Sequence, residues 1–242
     1  MSHDLETSAS GLTPSGTPPL PKATLKAKQE PRPLWRRNWI IPLVVVVLAF
    51  LAYIWPPYLG LDPSKALITL DPHAPIHYAL LVLHISFGTI ALLTLCIQVW
   101  PYFRRHHPKV HRWAGRVYVF GGALPSGILA MAITPLASDP TIGTTMGGVF
   151  WLFTTVAGYR FARRREYLKH RRWMLYSFAF AMNIIWGRIF AVIFTAFNVT
   201  SPTLWAQIGT TAPWVGWVVN IFVVQWWLNR TADKSLKELI GR

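Results

Sequence analysis

Residues 76–102 read IHYALLVLHISFGTIALLTLCIQVWPY and contain no Asp, Glu, Lys or Arg. About 20 mostly apolar residues are enough for a helix to cross the hydrocarbon core of a bilayer. The stretch therefore predicts a membrane-spanning helix.

Further apolar runs follow the same pattern and are separated by short polar joints. The six candidate spans are 38–56, 76–102, 114–137, 144–162, 173–198 and 212–229, and none contains Asp, Glu or Lys. The sequence predicts an all-α, polytopic membrane helix bundle of six transmembrane helices over residues 36–230.

The two ends of the chain have a different composition. Residues 1–35 are rich in Ser, Thr, Pro, Gly and Lys and lack apolar periodicity, which predicts a disordered tail. Residues 231–242 form a C-terminal tail. Within it, Ala232–Ile240 is expected to form a short amphipathic helix on the membrane surface, because its Leu and Ile residues share one face.

Basic residues indicate the orientation of the bundle. Of the 24 Lys and Arg residues, 22 lie in the N-terminal tail, in the joints between spans two and three and between four and five, or at the C-terminal end. Cytoplasmic segments carry an excess of Lys and Arg. We therefore expect both termini to be cytoplasmic, an even number of spans, a bacterial inner-membrane location, and contact between the basic face and anionic lipids.

Composition excludes several functional classes. The net charge of +15 would suggest nucleic acid in a soluble protein, but charged residues are only 14% of the chain and hydrophobic residues are 52%. Soluble domains carry about 25% charged residues, so a nucleic-acid partner is not expected. The single Cys96 excludes disulfide frameworks and Cys-ligated metal sites, and no hydrolase motif occurs.

Two polar residues within the spans are candidates for ligand binding. Arg188 lies 16 residues past Arg172, about 24 Å along a helix, too far to reach the cytoplasm. Arg188 and His84 lie about 15 Å and 12 Å below the outer ends of their spans, so they can share a layer that recognises a small anion. Alternatively, Arg188 pairs with helix-end carbonyls or Asn183 and locks the packing.

A second group lies at the outer mouth of the second span. Asp71, His73 and His77 combine residue types that bind Zn²⁺ or Cu²⁺. Exposed His residues near the start of a helix are also common without any metal, and that alternative stays open.

The inner side contains two similar tracts. His111-Arg112-Trp113 and His170-Arg171-Arg172-Trp173 both follow a basic joint and both enter the membrane from the predicted cytoplasmic side. Two His side chains at one depth can be axial ligands of haem b, with Arg112 and its neighbours neutralising the propionates. Such tracts also suit anionic lipid phosphates, or a quinone or another anionic ligand.

These residues form an ordered series. It consists of His84-x3-Gly88, Gln98, Arg104-Arg105, Pro108, the His111 tract continued to Gly115-Arg116-Val117-Tyr118, and His170-Arg171-Arg172-Trp173-Met174. Over about residues 77–195 the series resembles a bacterial predicted-membrane-protein family of unknown function, number two-three-zero-six of the domain-of-unknown-function series. Members usually carry Arg where this chain has Tyr176, whereas the Arg late in the fifth span is kept as Arg188.

The outline is also distantly similar to that of transmembrane b-type cytochromes. The matching residues are His84-x3-Gly88, Gln98, Arg105 and His111-x3-Gly115-Arg116. This resemblance implies a haem b cofactor and electron transfer, with His84 and His111 among the ligands and Gln98 nearby. A second, outer haem would have to recruit His73 or His77 as a ligand.

Three functions therefore stay open. The first is a haem b-binding or quinone-interacting electron-transfer protein, which as an enzyme would be a transmembrane oxidoreductase. The second is a non-catalytic protein that binds or transports a small anionic ligand at His84 and Arg188. The third is a structural or lipid-interacting membrane protein. Proton-coupled carriers usually have carboxylates within their membrane spans, and the six predicted spans contain none. Transport driven by protons is therefore not favoured by the sequence.

Overall fold

The computed structural model describes residues 40–137 and 142–240, with side chains up to Thr231. The predicted disordered tail at 1–35 lies outside these residues. Within them the chain is helical and has no β-strand. The all-α prediction is therefore confirmed.

Most consecutive helices of the described ranges are joined by short connections, whereas residues 55–75 separate the first two. These helices are α1 (Ile40–Ile54), α2 (Ile76–Val99), α3 (Pro101–His106), α4 (Pro108–Tyr118), α5 (Leu124–Ile133), α6 (Ile142–Arg163), α7 (Tyr167–Ala181), α8 (Asn183–Ala196) and α9 (Pro202–Ile240). Proline begins α3, α4 and α9, where its missing N–H removes no helical hydrogen bond.

Helices α4 and α5 form one membrane-length unit with a π turn in the middle. The turn covers Val119–Ala123. Gly122 lies in it, and a Cβ there would be 2.8 Å from backbone atoms of Ala91 in α2. Only glycine permits this close approach, so the unit packs tightly on α2 at this turn.

The connection between α1 and α2 folds over the end of the bundle that the basic residues predict to be the outer one; this end is called outer below, and the opposite end inner. Tyr58 is buried, and its hydroxyl accepts a hydrogen bond from the Leu67 N–H at 3.1 Å. At the surface, the Ser64 hydroxyl and backbone N–H both donate to Asp62 and lower the pKa of that carboxyl. The connection is therefore tied down by hydrogen bonds at several points.

Five helical segments are long and apolar enough to cross a membrane. They are Ile40–Tyr58, Ile76–Val99, Pro108–Leu136, Tyr167–Ala196 and Pro202–Thr231. Helix α6 corresponds to the remaining predicted span and has 22 residues, or about 33 Å. Its Gly and Thr residues lower its hydropathy, and several of them are buried against neighbouring helices. The six-span count and the orientation of the termini therefore stay predictions.

Two helices differ from their predicted limits. The fifth predicted span is interrupted at Met182, which separates α7 from α8. The last helix begins at Pro202, ten residues before the predicted span, and includes Pro213. It continues to Ile240, so the backbone predicted to form a separate surface helix belongs to α9, and its side chains lie outside the described residues.

A buried cluster of hydroxyl groups joins the inner halves of α4, α6 and α7. The Tyr118 hydroxyl and the Ser177 hydroxyl are 2.7 Å apart, and Thr155 Oγ1 is 2.7 Å from the same Ser177 oxygen. Trp151 Nε1 donates to Tyr118 at 3.4 Å. These polar groups satisfy one another where water is excluded, so the cluster fixes the packing of three helices.

Candidate functional site

A cavity of about 330 Å³ lies inside the bundle above the hydroxyl cluster. Helices α1, α2, α5, α6, α7 and α8 all contribute to its wall. Most of the lining is apolar, and four aromatic side chains belong to it: Phe50, Tyr58, Trp151 and Phe180. Thr89 and Thr144 are among the polar lining residues. Four further polar lining residues are candidates for contact with a ligand: His84, Ser126, Asn183 and Arg188.

His84 is held by α5 on one edge of its ring. Its Nδ1 is 2.9 Å from the carbonyl oxygen of Ser126, and the Ser126 hydroxyl lies 3.1 Å from the same nitrogen. A carbonyl only accepts hydrogen bonds, so Nδ1 carries the proton. Nε2 makes no hydrogen bond to any residue within the described ranges, and in the neutral imidazole it is an acceptor.

The glycine four residues after His84 has a packing role. A Cβ at Gly88 would lie 3.3 Å from the Ser126 hydroxyl oxygen. The same hydroxyl donates to the carbonyl of His84 at 3.2 Å. The His84-x3-Gly88 spacing therefore lets α2 and α5 approach closely around one histidine.

Arg188 reaches the cavity from α8. Its Nε is buried and has no hydrogen-bond partner among the described residues. The ion pairs found in the described ranges, Lys65–Asp62 and Lys169–Glu166, both lie outside the cavity. The described lining contains no Asp or Glu, so Arg188 makes the cavity electropositive.

Asn183 stands at the break between α7 and α8. Its side chain lies between Gly147 of α6 and Gly216 of α9, and a Cβ on Gly216 would overlap the Asn183 Oδ1 atom. That Oδ1 is buried and unpartnered within the described ranges. Hydrogen bonding between Arg188 and Asn183, the packing role expected as an alternative, is not observed between these two described side chains.

The inner histidines lie near each other at the opposite end of the bundle. His170 Nδ1 is 2.9 Å from the Gly158 carbonyl oxygen. His111 has a buried, unpartnered Nδ1 among the described atoms, and His170, Arg104 and Arg112 lie within electrostatic range of it. Each of the two rings thus has a nitrogen that forms no hydrogen bond with any described residue.

Gln98 joins this inner pair. Its Nε2 donates to the His111 carbonyl at 2.6 Å, and a Cβ on Gly115 would be 3.4 Å from its Oε1. The space beside Gly115 is therefore taken by the Gln98 amide. The His111-x3-Gly115 spacing supports helix packing here, as His84-x3-Gly88 does in the cavity.

His73 and His77 both form hydrogen bonds with Asp71 in the connection before α2. The Asp71 N–H donates to His77 Nδ1 at 3.0 Å, and the Asp71 carboxylate accepts from the His73 N–H at 2.8 Å. His77 therefore carries its proton on Nε2 and offers no lone pair to a metal in this arrangement. Among the described residues no three His, Cys, Asp or Glu side chains are grouped to hold a metal ion.

The structure thus brings the candidates together in three places. His84 and Arg188 line one cavity, His111, His170 and Gln98 lie at the inner end, and His73 and His77 border the outer connection. Sequence reasoning missed Ser126. Its position after Pro125 in an apolar helix is a signal that could have identified it.

Comparison with known proteins adds one finding. Residues 81–228 match the family described as predicted membrane protein (DUF2306). The chain belongs to this family. The match includes His84, His111, His170 and Arg188, and it leaves out His73 and His77.

The DUF2306 match confirms the resemblance drawn from the histidine tracts and identifies a membrane protein. Neither the curated proteins nor the solved structures compared contain a match. A function for this protein is therefore inferred from the site itself.

Proposed function

We propose that this protein binds a small, largely apolar molecule in the cavity between His84 and Arg188, through an anionic or hydrogen-bond-accepting head. The observation that carries the proposal is the buried, unpartnered Arg188 Nε in a cavity without a described carboxylate. Arg188 as a whole is half-buried, and a charge that is partly withdrawn from water without a partner is costly. A ligand that supplies the counter-charge or acceptor removes this cost.

The size and lining of the cavity support this function. Small-molecule sites typically enclose about 300–1,000 Å³, with mostly apolar walls and a few placed polar groups. The observed cavity is near the lower end of this range. Medium-chain carboxylates and quinones both combine an apolar body with suitable acceptor oxygens.

The test is ligand-dependent thermal unfolding of the purified full chain. Decanoate and a short-chain quinone are the probes, and a ligand that binds only the folded protein raises its Tm. We expect a rise in the wild type, no rise in Arg188→Leu, and an unchanged rise in Arg230→Leu. Arg230 is the matched control because it stacks over Trp226, outside the cavity.

Without ligand, Arg188→Leu separates a binding role from a structural one. Replacing an uncompensated buried charge by an apolar side chain stabilises a protein or leaves its stability unchanged. We therefore expect the unliganded Tm of Arg188→Leu to equal or exceed that of the wild type. A clear decrease, or failure of both probes to change the wild-type Tm, would contradict the proposal and favour a structural or lipid-interacting role.

A second candidate is a haem b held between His111 and His170, with electron transfer as its function. One observation favours it: the His170 Nδ1–H donates to the Gly158 carbonyl, which is how metal-binding histidines are usually oriented so that Nε2 is available. Arg112 would lie near the propionates. The Gln98 side chain beside Gly115 would have to make room.

An absorption spectrum of protein from haem-replete cells tests this second candidate. We expect a Soret band that disappears in the His111→Ala/His170→Ala double variant and persists in His73→Ala. A colourless wild-type preparation would exclude haem. In either case we propose a bacterial inner-membrane location, supported by the distribution of basic residues.

A further inference from the structure

The walls of the cavity are closed nearly all the way round. Helix α1 packs on α2, α2 on α5, α5 on α6, α6 on α7, and α7 leads into α8 through Met182. Helices α1 and α8 complete the ring, yet they touch at most at isolated points. The side between α1 and α8 is therefore the one that no packed pair of described helices closes.

Other residues lie above and below this side. Tyr58 and Ile68, from the connection between α1 and α2, line the cavity. Met182, which precedes α8, packs against a buried cluster formed mostly by residues of α1 and α2. Ile184 lines the cavity, is 45% exposed and belongs to the apolar segment Tyr167–Ala196. In a membrane-spanning bundle, this side of the cavity adjoins the bilayer.

His84 and Arg188, two of the polar residues that line the cavity, require different partners. Because Nδ1 of His84 donates to Ser126, its Nε2 requires a donor, whereas the Arg188 guanidinium requires an acceptor. A carboxylate or a quinone carbonyl satisfies Arg188 but not His84. A hydroxyl group satisfies both with one oxygen, and the aromatic lining suits a ring that carries it.

We propose that the cavity takes a lipid-soluble phenol-type molecule, a class that includes hydroquinones, and that this ligand enters from the bilayer between α1 and α8. The inference rests on the proposed function and narrows it from any acceptor-bearing molecule to one with an acidic hydroxyl. The hydroxyl donates to His84 Nε2 and accepts from Arg188, while the apolar body occupies the lining or extends into the lipid.

Binding of two matched probes to the full chain in lipid nanodiscs tests the ligand class. The probes are para-hexylphenol and para-hexylanisole, which differ by the O–H group. We expect the phenol to bind at least about tenfold more tightly, the effect of one hydrogen bond lost at a buried site. His84→Leu should remove this preference, and the control His73→Leu, in the exposed loop, should keep it.

Equal binding of the two probes, or a preference unchanged by His84→Leu, would overturn the inference. Decanoate separates this failure from failure of the proposed function. If decanoate binds in an Arg188-dependent way and the phenol does not, the proposed function stands and the ligand class is wrong. If no probe binds, both are wrong.

The entrance is tested by blocking it. In a Cys96→Ser background, Ile184→Cys and Ile193→Cys are each labelled with pyrene maleimide; Ile193 is similarly exposed on α8 but does not line the cavity. We expect the label at residue 184 to slow phenol association by about tenfold or more, and the label at residue 193 to leave it unchanged. Equal rates for the two labelled proteins would overturn entry between α1 and α8.

Discussion

At the scale of single residues, Tyr118 connects separate parts of the bundle. It is fully buried, and its hydroxyl contacts Ser177 of α7 and Trp151 of α6. Because Trp151 also lines the cavity, the hydroxyl cluster supports one wall of the candidate site. Its removal should be measurable as lost stability.

We expect Tyr118→Phe to lower the free energy of unfolding by about 1–3 kcal/mol, because the Trp151 N–H loses its acceptor in a place without water. Thermal unfolding in detergent measures the change. Tyr53→Phe is the control: Tyr53 is 44% exposed on α1, and its substitution should have little effect. Equal Tm changes in the two variants would show that the cluster does not stabilise the fold.

Two glycines should respond to alanine with opposite signs. A Cβ at Gly122 meets the Ala91 backbone at 2.8 Å, whereas Gly187 has nothing within 4 Å. Overpacking costs about 1–3 kcal/mol, and alanine in an open helix gains about 0.5–1 kcal/mol over glycine. We expect a lower Tm for Gly122→Ala and a higher Tm for Gly187→Ala. The same sign for both would contradict the packing at the π turn.

The sequence predicts the depth of the candidate ligand-binding residues His84 and Arg188 and nothing more of their position. Counting residues along a helix predicts that His84 and Arg188 lie at similar levels, and both line one cavity. It does not predict how the helices rotate about their axes. The contact of His84 with Ser126 depends on that rotation, so it became visible only when the helices were packed.

At the scale of elements, the turn between α6 and α7 is unusually tight. Arg165 has a φ of 62° there, and the Glu166 N–H closes the turn on the Phe161 carbonyl. A left-handed conformation is unfavourable for most residues and natural for glycine at the end of a helix. The turn therefore carries a local strain that a substitution can relieve.

We expect Arg165→Gly to raise the free energy of unfolding by less than about 1 kcal/mol, because the relief of strain exceeds the entropy that glycine adds to the unfolded chain. Asn198 has a φ of 51°, and since Asn tolerates this region better, Asn198→Gly should give a smaller change. The two Tm values provide the comparison. A decrease for Arg165→Gly would show that its side chain stabilises the turn by other contacts.

The break at Met182 is an element that the sequence did not indicate. No Pro or Gly lies within five residues before it, so the apolar run predicted one continuous span. The interruption coincides with Asn183, whose side chain occupies the space provided by Gly147 and Gly216. Tertiary packing of small residues on two other helices explains the break, and such packing is not apparent from one segment alone.

At the scale of the whole molecule, basic residues and apolar segments alternate along the chain in a way that indicates its membrane topology. Basic residues cluster at the ends of α6 and α9 and around α3 and α4, whereas Arg188 lies apart from them within a span. This sorting predicts six spans, although α6 is less apolar than the other five segments. The predicted topology places the two ends of α6 on opposite sides of the membrane, which can be measured directly.

Labelling of single cysteines by a membrane-impermeant maleimide in intact cells measures it. In the Cys96→Ser background, Lys65→Cys and Ile142→Cys should react directly, and Lys109→Cys and Lys169→Cys only after permeabilisation. Ile142 and Lys169 bracket α6. Reaction of both from one side would show that α6 does not cross the membrane.

The π turn changes the direction in which the side chains of α5 point relative to those of α4. A π turn inserts an additional residue into a helix, and each residue corresponds to about 100° of rotation. The inner segment that carries His111 and the outer segment that carries Ser126 are therefore offset from the phase of a continuous α-helix. The Gln98 contact at one end and the His84 contact at the other can thus be satisfied together.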